Sequence, residues 1–137
     1  MTAKEYLGQA YRIDQRINSK MEQIASLNLL ARKATTVFSD MPGNSTRNIH
    51  RMEDVIIKIV DMESEINADI DRLVDLKKEI AGVIHGVSNL EYQTLLELRY
   101  LCFKTWEQIA VDMGYSIQHI YRLRDKALTQ TIPPATA

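Results

Sequence analysis

The side chains best suited to recognising another molecule lie close together near the C-terminus, directly after Gly114-Tyr115-Ser116. Glutamine can form paired hydrogen bonds with adenine, arginine can do so with guanine, and an aliphatic side chain can contact the thymine methyl group. Ile117, Gln118 and Arg122 therefore offer the chemistry needed to read base edges in a duplex. The candidate DNA-binding residues of this segment are Ile117, Gln118, His119, Tyr121, Arg122, Arg124 and Lys126.

Two short helices are needed to position these side chains. Residues 105–108, Thr-Trp-Glu-Gln, have the capping-box pattern that opens a helix. Gly114 is expected to end that helix, because glycine tolerates the left-handed conformation of a tight turn. Ser116 is expected to cap the next helix. If Ile109 and Ile120 pack together, the polar side of the last helix faces outward.

A third helix is expected to support this pair. Either Ser88, in a capping box with Glu91, or Asn89 can begin it. We therefore predict a helix-turn-helix module over 88–128, the arrangement that presents its last helix to the DNA major groove. Two prolines then predict a disordered tail over 129–137. The apolar positions of the supporting helix are Leu95, Leu96, Leu98 and Leu101.

This region resembles region four of bacterial sigma factors over Leu96–Tyr100, Thr105–Ala110 and Ser116–Leu128. The resemblance implies base and phosphate contacts from the start of the last helix, phosphate close to Thr105 and Arg99, and possible contact with RNA polymerase. Isoleucine, glutamine and histidine stand where housekeeping sigma factors carry arginines or acids, so their promoter element is not the expected target. No sigma region two is present. The whole layout is also similar to small regulators of Gram-positive phages and prophages of the ArpU type.

The first two thirds of the chain carry two heptad-like patterns. They predict helices over Ala3–Ala34 and Ile49–His85, with a loop over Thr35–Asn48. A helix of about 35 residues is roughly 50 Å long, so we expect an antiparallel hairpin over 1–87 that also serves as a dimerisation arm. Lys20 interrupts the first seam, where its stem can cover apolar surface. The seam residues are Tyr6, Ala10, Ile13, Ile17, Ile24 and Leu27, then Met52, Ile56, Ile59, Ile66, Ile70, Leu73, Ile80 and Ile84.

Catalytic and metal chemistry find little support in the sequence. The acidic row Asp61, Glu65 and Asp69, with Glu53 and Asp54 nearby, has ligands suitable for magnesium, but its spacing favours a solvated helix face. The histidines are scattered, and Cys102, the single cysteine, is expected to be buried in a loop beside Phe103. We expect no enzyme, no cofactor and no metal site.

Charge and composition limit the remaining choices. The net charge is −1, with 17 Lys plus Arg against 18 Asp plus Glu, so few phosphate contacts are expected from each chain. Neither a signal peptide nor a transmembrane segment is visible, which leads us to expect a cytoplasmic protein with no membrane partner.

The sequence thus predicts an all-α, sequence-specific DNA-binding protein that regulates phage or prophage genes. A homodimer would set two recognition helices at a fixed separation on double-stranded DNA. One alternative is a DNA-packaging component like the small terminase subunit. Another is a coiled-coil adaptor that binds RNA polymerase or another protein.

Overall fold

The computed structural model describes the backbone of residues 1–40 and 45–134, and the side chains of residues 1–33 and 49–134. Every regular element among these residues is a helix, which confirms the predicted all-α class. The helices are α1 (Ala3–Leu7), α2 (Gln9–Asp40), α3 (Ser45–His85), α4 (Leu90–Tyr100), α5 (Trp106–Met113) and α6 (Ile117–Gln130).

The N-terminal pattern forms two helices where one was predicted. Thr2 opens α1 with a capping box to Glu5, and Gly8 ends it, with its N–H directed to the carbonyls of Lys4 and Tyr6. Glycine costs about 1 kcal/mol relative to alanine in a helix interior, so the interruption falls where helix propensity is lowest.

The loop predicted over Thr35–Asn48 is largely helical. The backbone of α2 continues to Asp40 and that of α3 begins at Ser45, while the rest of the predicted loop, residues 41–44, lies outside the described residues. The physical reason is that ordinary residues differ by at most about 0.7 kcal/mol in helix propensity, so turn-favouring Ser and Asp do not stop an established helix.

The chain divides into two compact units, of which the first comprises Met1–Asp14 and Arg72–Ala137. Its core joins α1, the end of α3 and the helices α4 to α6. The core therefore continues across the expected boundary between residues 87 and 88, because Val87 is itself buried. The largest fully buried side chains among the described residues are Leu7, Ile80, Ile84, Val87, Leu95, Leu96, Ile109 and Ile120.

The second unit, Gln15–Asp71, contains most of α2 and the first part of α3. Only residues 41–44 separate the two helices, and Lys20 in the first half of α2 contacts Asp69 in the second half of α3. The two helices therefore pack antiparallel, with Ile17 and Met62 buried.

A buried ion pair replaces the arrangement expected around Lys20. Its Nζ donates to Oδ2 of Asp69 at 2.7 Å, and the two side chains are 13% and 9% exposed. The lysine is therefore not directed to solvent, and the solvated position expected for Asp69 is wrong. Asp69 follows the buried residues Met62 and Ile66 at helical spacing, which places it on the covered stripe of α3.

Much of the apolar sequence in this unit stays exposed. The seam residues Ile56 and Ile70 are 51% and 42% exposed, although the pattern predicted that they face a helical partner. Among the described residues of the unit, the other exposed large apolar side chains are Met21, Leu29, Leu30, Ile49, Ile57 and Val60. One antiparallel neighbour covers only part of a stripe this wide.

The C-terminal tail begins later than predicted. Helix α6 includes Gln130, and Thr131 is buried, with its hydroxyl donating to the carbonyl of Ala127 at 2.8 Å. This bond satisfies a carbonyl of the last turn, which accounts for the order of the segment. The last residues of the predicted tail, 135–137, lie outside the described residues.

Candidate nucleic-acid interface

Side-chain caps set the starts of the three C-terminal helices. Asn89 caps α4 by accepting from the N–H groups of Glu91 and Tyr92, which decides between the two predicted starts. Thr105 and Gln108 form the expected capping box at the start of α5. Ser116 accepts from the His119 N–H at the start of α6. Each cap is a local interaction, and the sequence alone predicted the caps of α5 and α6 and narrowed that of α4 to two residues.

The turn between α5 and α6 depends on Gly114, whose φ of 74° is left-handed as predicted. The Tyr115 N–H donates to the Ala110 carbonyl at 2.9 Å, and the Gly114 N–H donates to the Val111 carbonyl at 3.2 Å. This pair of bonds is a Schellman motif, which ends a helix and reverses the chain within two residues. Helix α6 consequently starts almost immediately after α5 ends.

Packing against the core fixes which side of α6 is covered. Ile109 of α5 and Ile120 of α6 are both 0% exposed, and Ala110 is buried beside them. Leu123 and Ala127 continue the buried stripe of α6 at helical spacing. The opposite side of α6 is therefore the side available to a partner.

The structure brings several predicted contact residues together on that open side. Gln118, Tyr121 and Arg122 are exposed, and their spacing places them on one face of α6. Lys126 is exposed one turn after Arg122, at the edge of the same face. Their hydrogen-bonding groups and charges are those that a duplex would contact.

The other predicted residues are committed to contacts within the protein. Ile117 is half-buried and packs against the core. His119 is half-buried, with its ring 4.5 Å from that of Tyr115, whose pKa is raised by a hydrogen bond to Glu91. The hydroxyl of Thr105 serves the capping box.

Arg124 is half-buried and contacts neighbouring side chains. Its guanidinium lies 5.9 Å from the Trp106 ring and 4.9 Å from the Tyr121 ring, and its Nε donates to Asp125 at 3.0 Å. Arg99 covers the same Trp106 ring at 5.0 Å and donates to the Lys104 carbonyl. Trp106 is thus held between the two arginines as a half-buried aromatic.

One residue of the open face was not singled out from sequence. Asp125 is exposed and lies three residues after Arg122 and seven after Gln118, so it shares their side of α6. Helical spacing alone identifies it. Its carboxylate places a negative charge in the middle of an otherwise polar and basic face.

The loop before α5 differs from expectation at its cysteine. Cys102 is exposed, whereas Phe103 is half-buried against the core. Phe103 adopts a left-handed φ of 59°, which turns its ring inward and leaves the preceding side chain outside. A salt bridge at 2.6 Å between Lys104 and Asp112 connects this loop to α5.

The His, Cys, Asp and Glu residues in the described part of the chain include no group of three placed to hold a metal ion. Among the same residues, no helix combines the length and the apolar character needed to cross a membrane.

Comparison with known proteins identifies a family. No match was found among curated proteins or among solved structures. A family model described as "protein of unknown function (DUF1492)" matches residues 33–131, a stretch that includes the whole of α3 to α6. The chain therefore belongs to the DUF1492 family of proteins of unknown function.

Proposed function

We propose that α5 and α6 form a DNA-binding helix-turn-helix and that this protein is a sequence-specific regulator of phage or prophage genes in the bacterial cytoplasm. The observation that carries the proposal is the open face of α6, where Gln118, Tyr121 and Arg122 are exposed opposite a buried stripe. A capped helix that begins directly after a tight turn and keeps its polar side free is the form that enters the major groove.

The charges of α6 support a modest affinity for each chain. Arg122 and Lys126 are exposed and basic, but Asp125 lies between them and the net charge of the protein is −1. Binding through phosphate contacts alone would be weak at physiological salt. Pairing two chains on spaced half-sites offsets this, and the exposed apolar residues of the Gln15–Asp71 unit are the proposed surface for pairing. Contact with RNA polymerase remains part of the proposal on the sigma-factor resemblance.

The proposal is tested by selecting bound duplexes from a random pool with the full chain. An enriched motif is expected, and Arg122→Ala should weaken binding to that motif by about 1–3 kcal/mol and relax the preference at one base pair. Lys126→Ala is the matched control, because loss of a phosphate contact weakens all sequences alike. Failure to enrich any sequence at low salt would refute the function, and a uniform loss for Arg122→Ala would refute its base-reading role.

A further inference from the structure

A cleft of about 530 Å³ opens within the unit formed by Met1–Asp14 and Arg72–Ala137. Residues of α1, the first turns of α2, the loop after α4 and the adjoining parts of α4, α5 and α6 line it. Its volume is within the range of about 300–1,000 Å³ that small-molecule sites occupy. It is separate from the exposed stripe of Gln118, Tyr121 and Arg122 on α6, since none of these residues lines it.

The lining of the cleft is strongly basic for a protein with a net charge of −1. Lys4, Arg12, Arg99 and Arg124 contribute to it, whereas Glu5 is the one acidic residue among the lining residues. The Glu5 carboxylate accepts a hydrogen bond from the Thr2 N–H and is thereby occupied in the α1 cap. The cleft consequently favours an anion.

Two of these cations are available to a ligand. Within the described part of the chain, Lys4 and Arg12 are exposed and form no salt bridge. Arg99 and Arg124 are instead held against Trp106 and orient its ring. An arginine without an acidic partner at the wall of a cleft is well suited to bind phosphate, because its planar fork donates two parallel hydrogen bonds.

Aromatic rings form the rest of the wall. The rings of Tyr11 and Phe103 lie 5.6 Å apart at 57°, and Trp106 also lines the cleft. Phe103 reaches this position through its left-handed backbone, a conformation that costs a non-glycine residue about 1–2 kcal/mol. Lys77 lies 4.6 Å from the Phe103 ring on the same unit. A strained aromatic held at the wall of a cleft points to a binding role.

We propose that this cleft binds a nucleoside phosphate, with the base against the aromatic wall and the phosphate on Arg12 and Lys4. Aromatic faces stack with any base, and arginine pairs with phosphate, so the two halves of the lining match the two halves of this ligand. Inorganic phosphate would leave the aromatic wall unused, and an uncharged aromatic compound would leave the cations unpaired. The proposal is independent of DNA binding by α6.

Trp106 provides a direct readout, because it is the single tryptophan of the chain. The full-length protein is titrated with AMP, GMP, CMP and UMP while Trp106 fluorescence is followed, with excitation where the nucleotides do not absorb. Saturable quenching by at least one nucleotide is expected. The corresponding nucleoside and inorganic phosphate should each bind at least tenfold more weakly.

Variants then test the geometry of the cleft. Arg12→Gln should weaken nucleotide binding about tenfold or more, since a hydrogen bond to a charged group is lost. Arg16→Gln removes an exposed arginine about one turn further along α2, outside the cleft, and should leave binding unchanged. Tyr11→Leu keeps the apolar character but removes a stacking face, so it should lower affinity for nucleotides more than for phosphate.

Three results would overturn the proposal. The first is absence of saturable quenching at millimolar nucleotide by protein whose helical circular dichroism is intact. The second is equal affinity for nucleotide and inorganic phosphate. The third is that the protein binds an oligonucleotide but no mononucleotide, and that Arg12→Gln weakens this binding. That result would assign the cleft to a nucleic-acid strand. Calorimetric titration distinguishes binding from non-specific quenching in each case.

Discussion

The polar residues of α6 differ in whether other side chains hold them. Gln118 and Arg122 are exposed on the open side, whereas Arg124, which belongs to the same basic cluster in sequence, is held against Trp106 and Tyr121. Residue type alone therefore does not determine which side chain of α6 can contact a ligand. The neighbouring rings and carboxylate determine which arginine can reach a ligand.

Asp125 makes a specific prediction, because its carboxylate lies on the face proposed to meet DNA. Asp125→Asn removes the charge and the ion pair with Arg124 while keeping the shape, so we expect tighter binding to all duplexes by about 1 kcal/mol, roughly fivefold, at low salt. The gain should shrink as salt is added, because screening weakens charge repulsion. Fluorescence anisotropy with labelled duplexes measures both effects.

Asp71→Asn is the matched control, since Asp71 is an exposed aspartate of α3 in the other compact unit. It changes net charge by the same amount. If both variants raise the affinity for DNA equally, the change in net charge explains the result, and Asp125 does not lie at the DNA interface.

At the scale of elements, the helix ends are set by a few residues. Thr105, Asn89 and Ser116 start helices through side-chain hydrogen bonds, and Gly114 ends α5 through its backbone conformation. These are interactions between residues close in sequence. Packing of Ile120, Leu123 and Ala127 against the core then determines which face of α6 stays open.

Replacement of glycine by alanine should change the free energy of unfolding in opposite directions at two positions. Gly114→Ala should destabilise the fold by about 1–2 kcal/mol, because alanine is strained in the left-handed region. A Cβ there meets nothing within 4 Å, so the cost comes from the backbone alone. Gly82→Ala, inside α3 and equally free of clashes, should stabilise by about 0.5–1 kcal/mol through helix propensity. Urea unfolding measures both, and equal signs would contradict this account.

The buried pair of Lys20 and Asp69 makes a further prediction for the α2–α3 hairpin. Lys20→Met alone should lower the free energy of unfolding by about 3–5 kcal/mol, because it removes the ammonium that pairs with the buried Asp69 carboxylate. Lys20→Met combined with Asp69→Leu should regain most of that loss, since an apolar pair avoids the desolvation cost. A double variant no more stable than the single one would show that the pair contributes net stability.

At the scale of the whole molecule, the exposed apolar residues of the Gln15–Asp71 unit are the feature that one chain leaves unexplained. Ile56, Ile57 and Val60 are neighbours on α3 by their spacing, and contiguous exposed apolar residues mark a surface that another molecule covers. A second copy of the chain is our proposed partner, because two recognition helices on one duplex compensate for weak binding by each.

The molecular mass of the protein in solution tests whether it forms a dimer. The 15.7 kDa chain should sediment as a dimer at micromolar concentration, and Ile57→Lys should shift it towards monomer because Ile57 is 58% exposed within the apolar surface. Lys58→Gln, at the adjacent exposed position, should leave the dimer intact. A wild-type monomer would refute dimerisation, and ring-sized oligomers would favour the DNA-packaging alternative.

The sequence by itself determined the helical class, the caps of α5 and α6 and the turn at Gly114, because each depends on interactions within a few residues. Tertiary structure alone decided which of the candidate contact residues are held against other parts of the protein. It joined Lys20 to Asp69, turned Arg124 towards Trp106, and assembled the cleft from Arg12, Tyr11 and Phe103. These contacts join residues far apart in the chain, so their energies depend on how the helices pack, which local patterns do not specify.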